Sequence, residues 1–508
     1  MAIIQYILDL GPAVVLPIIM FGLGMILRMP VGRSFRSALT IGVGFIAINL
    51  VIGLMSETLG PTTQRMVENI GVDLPIVDVG WPVAATIAFG TASVVPWIFL
   101  LGILTNLAMI ALNWTKTLNV DMWNYWHFIF SAAFVHVITG NFILAIGIGI
   151  LTSVIVLKLA DALAPIIQDV YQMPGITTPH TETAGLAPIT WVLNKGIDRV
   201  PGLNRLHATP EDIQEKWGVV GEPMMMGTVL GGLIAILAYY PDITTAPGDA
   251  FANILRVSIT LGAVMLVLPR MVAILMEGLV PISDAAKTFI SSRFPGRELY
   301  IGLDAAILIG APANMSTAII MVPITLLLAI VMSFIGLNKM LPFTDLATLP
   351  FFCIWATTWH RGNIIRSTII MSIVMTFYLA VGTFLADATT QLAVAAQFDM
   401  PDNAQLISSI DSGAHLVPFL LVFPLMLDQI NAYGPTFMIF TGFIVGFTLI
   451  SYIIFFVKYA RGDVIGMEDK HLYVTEETSD DDGWGDYSDT EVASEGSSDT
   501  SSGNGGYS

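Results

Sequence analysis

Long runs of apolar residues alternate with short polar connections along most of the chain. Many runs reach the roughly 20 residues that a helix needs to cross a bilayer core, and they lack the two-residue alternation of a strand. Only helices and closed barrels satisfy their backbone hydrogen bonds in lipid. The pattern therefore predicts about 11 transmembrane helices, near residues 5–27, 34–56, 93–114, 125–140, 141–161, 217–239, 251–276, 302–335, 343–359, 365–386 and 431–457.

Shorter apolar pieces rich in proline and glycine lie between these runs, at Trp81–Ala92, Gly175–Trp191 and His415–Leu427. Each is too short or too broken for a simple span. Non-helical backbone at membrane depth is tolerated where protein covers it or where it lines a wet cavity. The fold class predicted is an all-α polytopic membrane protein with re-entrant hairpins.

Composition agrees with this fold class. Of the 508 residues, 55% are hydrophobic and only 12% charged, and the mean hydropathy is +0.76. An average soluble domain carries about 25% charged residues. A soluble enzyme, a nucleic-acid binder, a disordered protein and a single-span receptor are therefore excluded. The first run lacks a basic segment before it, so we expect a retained span rather than a cleaved signal.

The net charge of −18 is distributed unevenly along the chain. Residues 468–508 hold 12 acidic side chains and a single Lys or Arg, Lys470. Such a segment cannot bury a core. We therefore predict a transmembrane domain over 1–467 and a disordered acidic tail over 468–508, which either docks a basic partner or is a solvated extension.

Lysine and arginine cluster in a few connections, and this bias sets the orientation of a membrane protein. The basic connections lie near residues 28–36, 195–216, 287–297, 361–366 and 458–461, whereas 241–250 and 387–411 contain no Lys or Arg. We predict that the basic connections are cytoplasmic, with the N-terminus outside, the tail cytoplasmic and the chain in the plasma membrane.

An internal repeat is also predicted. Gly32, Arg36 and Ser37 recur at an offset of 330, as Gly362, Arg366 and Ser367. Thr62-Thr63-Gln64 recurs at an offset of 327, beyond an apolar span in both copies. Repeats that frame a site at the membrane midplane are common in transporters. The charge flanks favour parallel copies, and an inverted relation stays open.

Ionisable residues within a membrane are costly and usually functional. Glu222 lies between Gly221 and Pro223, where the backbone can break. Its carboxylate could accept hydrogen bonds from a polyol. The alternative is that Glu222 caps the start of a helix and has no other role. His136 and Asn141 flank a glycine and could face one cavity. Imidazole and amide groups both donate and accept hydrogen bonds, which suits an alcohol ligand. A satisfied core histidine is the alternative.

Three further places are candidates. His180 and Glu182 lie in a polar stretch, residues 177–183, that is either the tip of a re-entrant loop or an ordinary exposed loop. Asp304 and Asn314 mark two breaks in one apolar region, which suggests a hairpin, although Asp304 could simply begin a helix. Thr86 is a weaker candidate. The aromatic cluster Trp123, Tyr125 and Trp126 is interpreted as an interfacial belt rather than a sugar-stacking face.

Several chemistries are excluded by missing signatures. The chain has no G-x-x-x-x-G-K-[ST] loop and no H-E-x-x-H helix. Its single cysteine, Cys353, lies in an apolar run, which excludes an internal disulfide or a cysteine metal cluster and indicates a buried side chain. We predict no metal and no cofactor.

The chain resembles the membrane IIC components of galactitol-type phosphotransferase systems, whose superfamily includes the ascorbate permeases. The resemblance covers roughly residues 1 to 465. It is carried by Gly221-Glu222-Pro223 after the stretch 211–218, by Trp191–Gly196 and by Gly302-Leu303-Asp304.

This resemblance implies a homodimeric permease for a sugar or polyol, which a separate IIB protein phosphorylates at the cytoplasmic face. IIA and IIB would be other chains, since Cys353 is placed unlike a phosphoryl acceptor. By local context the resemblance assigns substrate binding to polar residues of the re-entrant elements, with Glu222 nearby: Thr86, His136, Asn141, His180, Glu182 and Asp304. Which polyol is bound stays open.

A second reading is an ion-coupled secondary transporter of a small polar solute, with Glu222, Asp304 and His136 as proton carriers. A third is a membrane scaffold that docks partners through the acidic tail.

Overall fold

The computed structural model describes residues 12–69, 74–90, 93–121, 124–217, 222–293, 298–342, 344–398, 400 and 404–464. The acidic tail and Trp123 lie outside these residues, as do residues 218–221 before Glu222. Helices dominate the described part, and its strands are only two or three residues long. The predicted all-α class is confirmed.

The first half of the chain contains nine helices and three short strands among its described residues. They are α1 Pro12–Ile26, α2 Val31–Glu68, β1 Ile76–Asp78, α3 Gly80–Gly90, α4 Val95–Ala111, β2 Thr117–Asn119, α5 Tyr125–Thr139, α6 Phe142–Tyr171, β3 Ile176–Thr177, α7 Thr181–Ala184, α8 Ala187–Asp198 and α9 Pro210–Trp217.

The second half continues with nine helices and two strands among its described residues. They are α10 Pro223–Tyr239, α11 Asp242–Thr245, α12 Pro247–Arg293, β4 Tyr300–Gly302, α13 Pro312–Phe334, α14 Leu349–Trp359, α15 Ile364–Ala395, β5 Leu406–Ser408, α16 Ile410–Ala414, α17 Leu416–Val422 and α18 Pro435–Ala460. Short 3₁₀ turns connect several of them, including Ala305–Ile307 and Thr344–Thr348.

Six described helices are long and apolar enough to cross a membrane: α2, α6, α12, α13, α15 and α18. The other five predicted spans coincide with shorter helices of 11 to 17 residues, namely α1, α4, α5, α10 and α14. Four predicted ends were wrong by nine residues or more, because α2 continues to Glu68, α6 to Tyr171, α12 to Arg293 and α15 to Ala395. The predicted span 302–335 is broken by the 3₁₀ turn before α13.

Proline and glycine set many of the element boundaries. Proline stands in the first turn of α4, α8, α10, α13, α14 and α18, where its missing N–H costs no helical hydrogen bond. Gly140 ends α5 with a left-handed φ of 65°, and the Asn141 side chain then accepts a hydrogen bond from the backbone N–H of Leu144 to start α6. The chain thereby reverses within two residues.

Helices α1, α2, α10 and α12 pack against one another. At the α2–α12 crossing, a Cβ on Gly44 would lie 2.7 Å from the Leu275 backbone, and one on Gly278 would lie 2.7 Å from the Ser37 carbonyl oxygen. Only glycine allows this approach of the two backbones, as in other membrane helix pairs.

The strands form two small parallel sheets. β1 pairs with β5, with Ile76 opposite Leu406, and β4 pairs with both β2 and β3. Because the paired strands run in the same direction, the turns that follow β3 and β4 emerge at one edge of their sheet, and those that follow β1 and β5 at one edge of theirs. The candidate site is built from these turns.

Candidate substrate site

Five titratable side chains from three separate segments form one cluster, which we call the His–acid cluster: His127, His180, Glu182, Asp411 and His415. His127 comes from α5, His180 and Glu182 from the turn after β3, and the last two from the turn after β5. Ligand-type atoms of His127, His180 and Glu182 lie within 4.8 Å of one another, and so do those of Glu182, Asp411 and His415. Glu182 thus belongs to both triads.

The local sequence explains how the side chains of the two turns come to face the cluster. Pro179 precedes His180, whose backbone is extended before the single turn of α7. Ser409 caps α16, accepting a hydrogen bond at its hydroxyl from the backbone N–H of Ser412. The one-turn helices leave their neighbouring side chains free to face the cluster.

The cluster is buried, and much of its hydrogen-bonding capacity is unused. The five residues are 0 to 5% exposed. Among the described residues, several of their atoms have no hydrogen-bond partner: Nε2 of His127, Nδ1 of His180, Oε1 of Glu182, both carboxyl oxygens of Asp411 and both ring nitrogens of His415. Buried polar atoms are normally satisfied, so this concentration indicates a place that receives a polar ligand.

The two carboxyl groups lie outside the six long apolar helices and perturb each other. Burial raises the pKa of Glu182 well above its ordinary value, and the neighbouring Asp411 raises it further. Burial likewise raises the pKa of Asp411, with Asp345 adding to the effect. The pair therefore keeps a proton to higher pH than an ordinary carboxyl group would, and it can both donate and accept hydrogen bonds.

Among the basic groups of the described residues, only imidazole nitrogens lie within 4.0 Å of these two carboxyl groups. His180 Nδ1 lies 4.0 Å from Glu182 Oε2, and His415 Nε2 lies 3.8 Å from Asp411 Oδ2. Neither acid pairs with a lysine or arginine. The electrostatics therefore favour a neutral or cationic ligand over an anionic one.

These separations also bear on what the cluster can hold. Ligands at about 2.0–2.1 Å around a tetrahedral zinc ion lie roughly 3.4 Å apart. Partners at about 2.8 Å around a hydroxyl oxygen lie roughly 4.0–4.6 Å apart for angles of 90–109°. The observed 3.8 and 4.0 Å fit a hydroxyl or a water more closely, and a metal ion would require the cluster to contract.

Two further carboxylates hold the turns in place. Asp345 Oδ1 accepts from the backbone N–H of Trp81 at 2.7 Å, and its Oδ2 accepts from the backbone N–H of Asp411 at 3.1 Å. Asp78 accepts from the N–H groups of Thr344 and Asp345 at 2.7 and 3.2 Å. Asp345 thus joins the turn after β1 to the turn that carries Asp411.

Aromatic rings and hydroxyl groups surround the cluster. The Trp126 ring centroid lies 5.1 Å from that of His415, and Phe351 stacks on His180 at 6.1 Å. The threonine hydroxyls at 178, 181 and 183 are buried and, among the described residues, unpartnered. The predicted interfacial belt was wrong for Tyr125 and Trp126, because both are only 2% exposed within the protein.

The structure brings together three of the seven predicted site residues. His180 and Glu182 belong to the cluster. Asp304 is buried beside it, and its charge opposes the burial that lowers the pKa of His180. Its Oδ1 also accepts from the backbone N–H of Ala306 at 2.7 Å, so it caps a turn as well.

The other four residues lie elsewhere. His136 is half-buried near the end of α5, and Asn141 is exposed and caps α6. Thr86 is exposed on α3, and Glu222 is half-buried at the start of α10 without capping it through its side chain. Their roles in substrate binding stay predictions.

Sequence reasoning missed His127, Asp411 and His415. Asp411 and His415 are four residues apart, next to a piece already interpreted as re-entrant, and this spacing could have identified them. His127 follows directly after the tryptophan that was assigned to the belt. It gave no separate signal.

Comparison with known proteins assigns the family. Residues 6–404 match the family of PTS system sugar-specific permease components, EIIC-GAT. The chain is 37% identical over 421 residues to the galactitol-specific EIIC component of Escherichia coli strain K12, covering 83% of this chain and 90% of that protein. The protein of the same name from strain O157:H7 is similar to the same extent.

A third relative, a putative permease IIC component of Escherichia coli K12, is 35% identical over 412 residues, covering 80% of this chain and 91% of its own. Both the family match and the curated relatives span most of the chain. This chain therefore belongs to the family of sugar-specific permease components of the phosphotransferase system.

Proposed function

We propose that this chain carries galactitol, or a closely similar polyol, into the cell as the IIC component of a phosphoenolpyruvate-dependent phosphotransferase system. A separate IIB protein, itself charged by IIA, phosphorylates the polyol at the cytoplasmic face. The chain acts as a homodimer in the plasma membrane, with its N-terminus outside and its tail inside.

The observation that carries the proposal is the His–acid cluster. Polyol hydroxyl groups both donate and accept hydrogen bonds, and the cluster offers unpartnered imidazoles and proton-retaining carboxyls at the matching spacing. Because Glu182 belongs to both triads, two adjacent hydroxyls can bind side by side. The absence of lysine or arginine contacts to its acids, among the described residues, favours a neutral polyol over a sugar acid.

The test uses vesicles that contain the purified protein in the membrane and hold phosphoenolpyruvate, the general components, IIA and IIB. Labelled galactitol should accumulate inside as its phosphate, and excess galactonate, an anionic analogue, should not compete. Uptake without phosphorylation, or strong competition by galactonate, would contradict the proposal. Uptake that needs no phosphoenolpyruvate and stops with a proton uncoupler would support the ion-coupled alternative instead.

A further inference from the structure

A cavity separate from the His–acid cluster opens at one end of the α2–α12 crossing. It measures about 380 Å³ and lies between the connection from α1 to α2 and the later turns of α12. Arg28 and Arg33 line one side, and Asp284 and Thr288 the other. We call it the arginine cavity. None of its lining residues belongs to the His–acid cluster.

The charge of the cavity is not balanced. Arg28 and Arg33 are exposed, and neither makes an ion pair within the described part of the chain. Asp284 is the single acid among the lining residues. The lining therefore has a net charge of about +1, which matches one phosphodiester anion, while the Asp284 carboxylate can accept from a hydroxyl of the same ligand.

The rest of the lining is apolar. A site for a free ion would not require apolar walls. Leu27, Met29 and Phe289 are among the side chains that face the cavity. A phosphate ion in water gains nothing from such walls, whereas the glycerol and first methylenes of a lipid bury apolar surface there.

An apolar stripe continues from the cavity along α2. Val31, Phe35, Leu39 and Val43 follow one another at four-residue spacing, and each is more than half exposed, from 51 to 59%. At 1.5 Å per residue the stripe is roughly 18 Å long, close to one half of a bilayer core of about 30 Å. An acyl chain can lie along it while the headgroup occupies the cavity.

We propose that the arginine cavity binds the headgroup of an anionic phospholipid, with its acyl chain along the exposed stripe of α2. Basic pockets between membrane helices recognise lipid headgroups by this chemistry. The bound lipid would bridge the α1–α2 connection and α12, and so stabilise the long helices that pack around them.

The test measures lipid binding to the purified full chain in detergent by native mass spectrometry and by the shift in Tm. Phosphatidylglycerol should bind and raise Tm, and phosphatidylcholine should do so much less. The double variant Arg28→Gln, Arg33→Gln should weaken phosphatidylglycerol binding about tenfold or more. The matched control, Arg199→Gln with Arg461→Gln, removes the same charge from exposed arginines elsewhere and should bind as the wild type does.

Three outcomes would overturn the proposal. They are equal binding of phosphatidylglycerol to the wild type and the Arg28/Arg33 variant, equal affinity for phosphatidylcholine, and displacement of the lipid by millimolar inorganic phosphate, which would indicate a site for the free ion. The measurement involves no transport, so it is independent of the proposed polyol function.

Discussion

Glu182 is the residue on which both triads of the His–acid cluster depend. Glu182→Gln keeps the shape of the side chain but replaces one carboxyl oxygen by an amide NH₂ group, which can only donate. A polyol hydroxyl that donates to that oxygen loses its partner, and an unsatisfied buried polar group costs about 1–3 kcal/mol, so we expect galactitol affinity to fall by roughly five- to a hundredfold. Calorimetric binding to the purified protein checks this.

The matched control is Glu222→Gln, the same change at a carboxylate outside both triads. The sequence alone predicts that this variant transports weakly. The structure gives Glu222 a half-buried position at the start of α10, so we expect the smaller loss of binding there. If galactitol affinity fell equally in the two variants, Glu182 would contribute no more to binding than Glu222 does.

A site residue could be predicted only where the residues next to it in the sequence distinguish it. His180, Glu182 and Asp304 interrupt apolar runs with proline or glycine nearby, so the sequence marks them directly. His127 lies in a mainly apolar helix with no proline or glycine beside it, and Asp411 reaches Glu182 only because chain segments more than 200 residues apart fold together. Such contacts depend on tertiary packing, which a local pattern does not contain.

The element that carries Asp411 fits against α15 only because position 413 is glycine. A Cβ there would lie 2.1 Å from the carbonyl oxygen of Tyr378, a backbone atom that cannot move alone. Gly413→Ala should therefore displace α16 and the Asp411 side chain with it. We expect uptake to be largely lost and the free energy of unfolding to fall by about 1–3 kcal/mol.

Gly442→Ala on α18 is the control, since a Cβ at Gly442 meets nothing within 4 Å. Uptake and Tm of both variants in the same membrane preparation give the comparison. If Gly413→Ala transported as well as Gly442→Ala, α16 would have more freedom than its packing indicates.

At the scale of elements, the strand register agrees with one part of the predicted repeat. Ile76 lies opposite Leu406 and Asp78 opposite Ser408, an offset of 330, which equals that of the Gly32 and Gly362 match but not the 327 of the Thr62–Gln64 match nearer to these strands. Helix α2 precedes β1 as α15 precedes β5. The sequence could predict the copies from their polar matches, but not that two equivalent strands pair with each other, because these strands are only three residues long.

The whole molecule combines a membrane body with an acidic tail that the family match does not reach. The match ends at residue 404, and residues up to Val464 form a compact unit. Residues 468–508 hold −11 of the −18 net charge. The family match therefore gives no support for a transport role of the tail.

We predict that a chain ending at residue 467 binds galactitol and supports phosphoenolpyruvate-dependent uptake within about twofold of the full chain, because every group of the His–acid cluster lies before residue 416. Vesicles with each form, compared at equal protein content, give the measurement.

Unchanged galactitol binding with a large loss of phosphorylation would instead make the tail a docking segment for a basic surface of IIB. Added salt should then weaken coupling in the full chain, since exposed charges are screened beyond about 8–10 Å at physiological ionic strength. Loss of galactitol binding in the shortened chain would contradict the prediction.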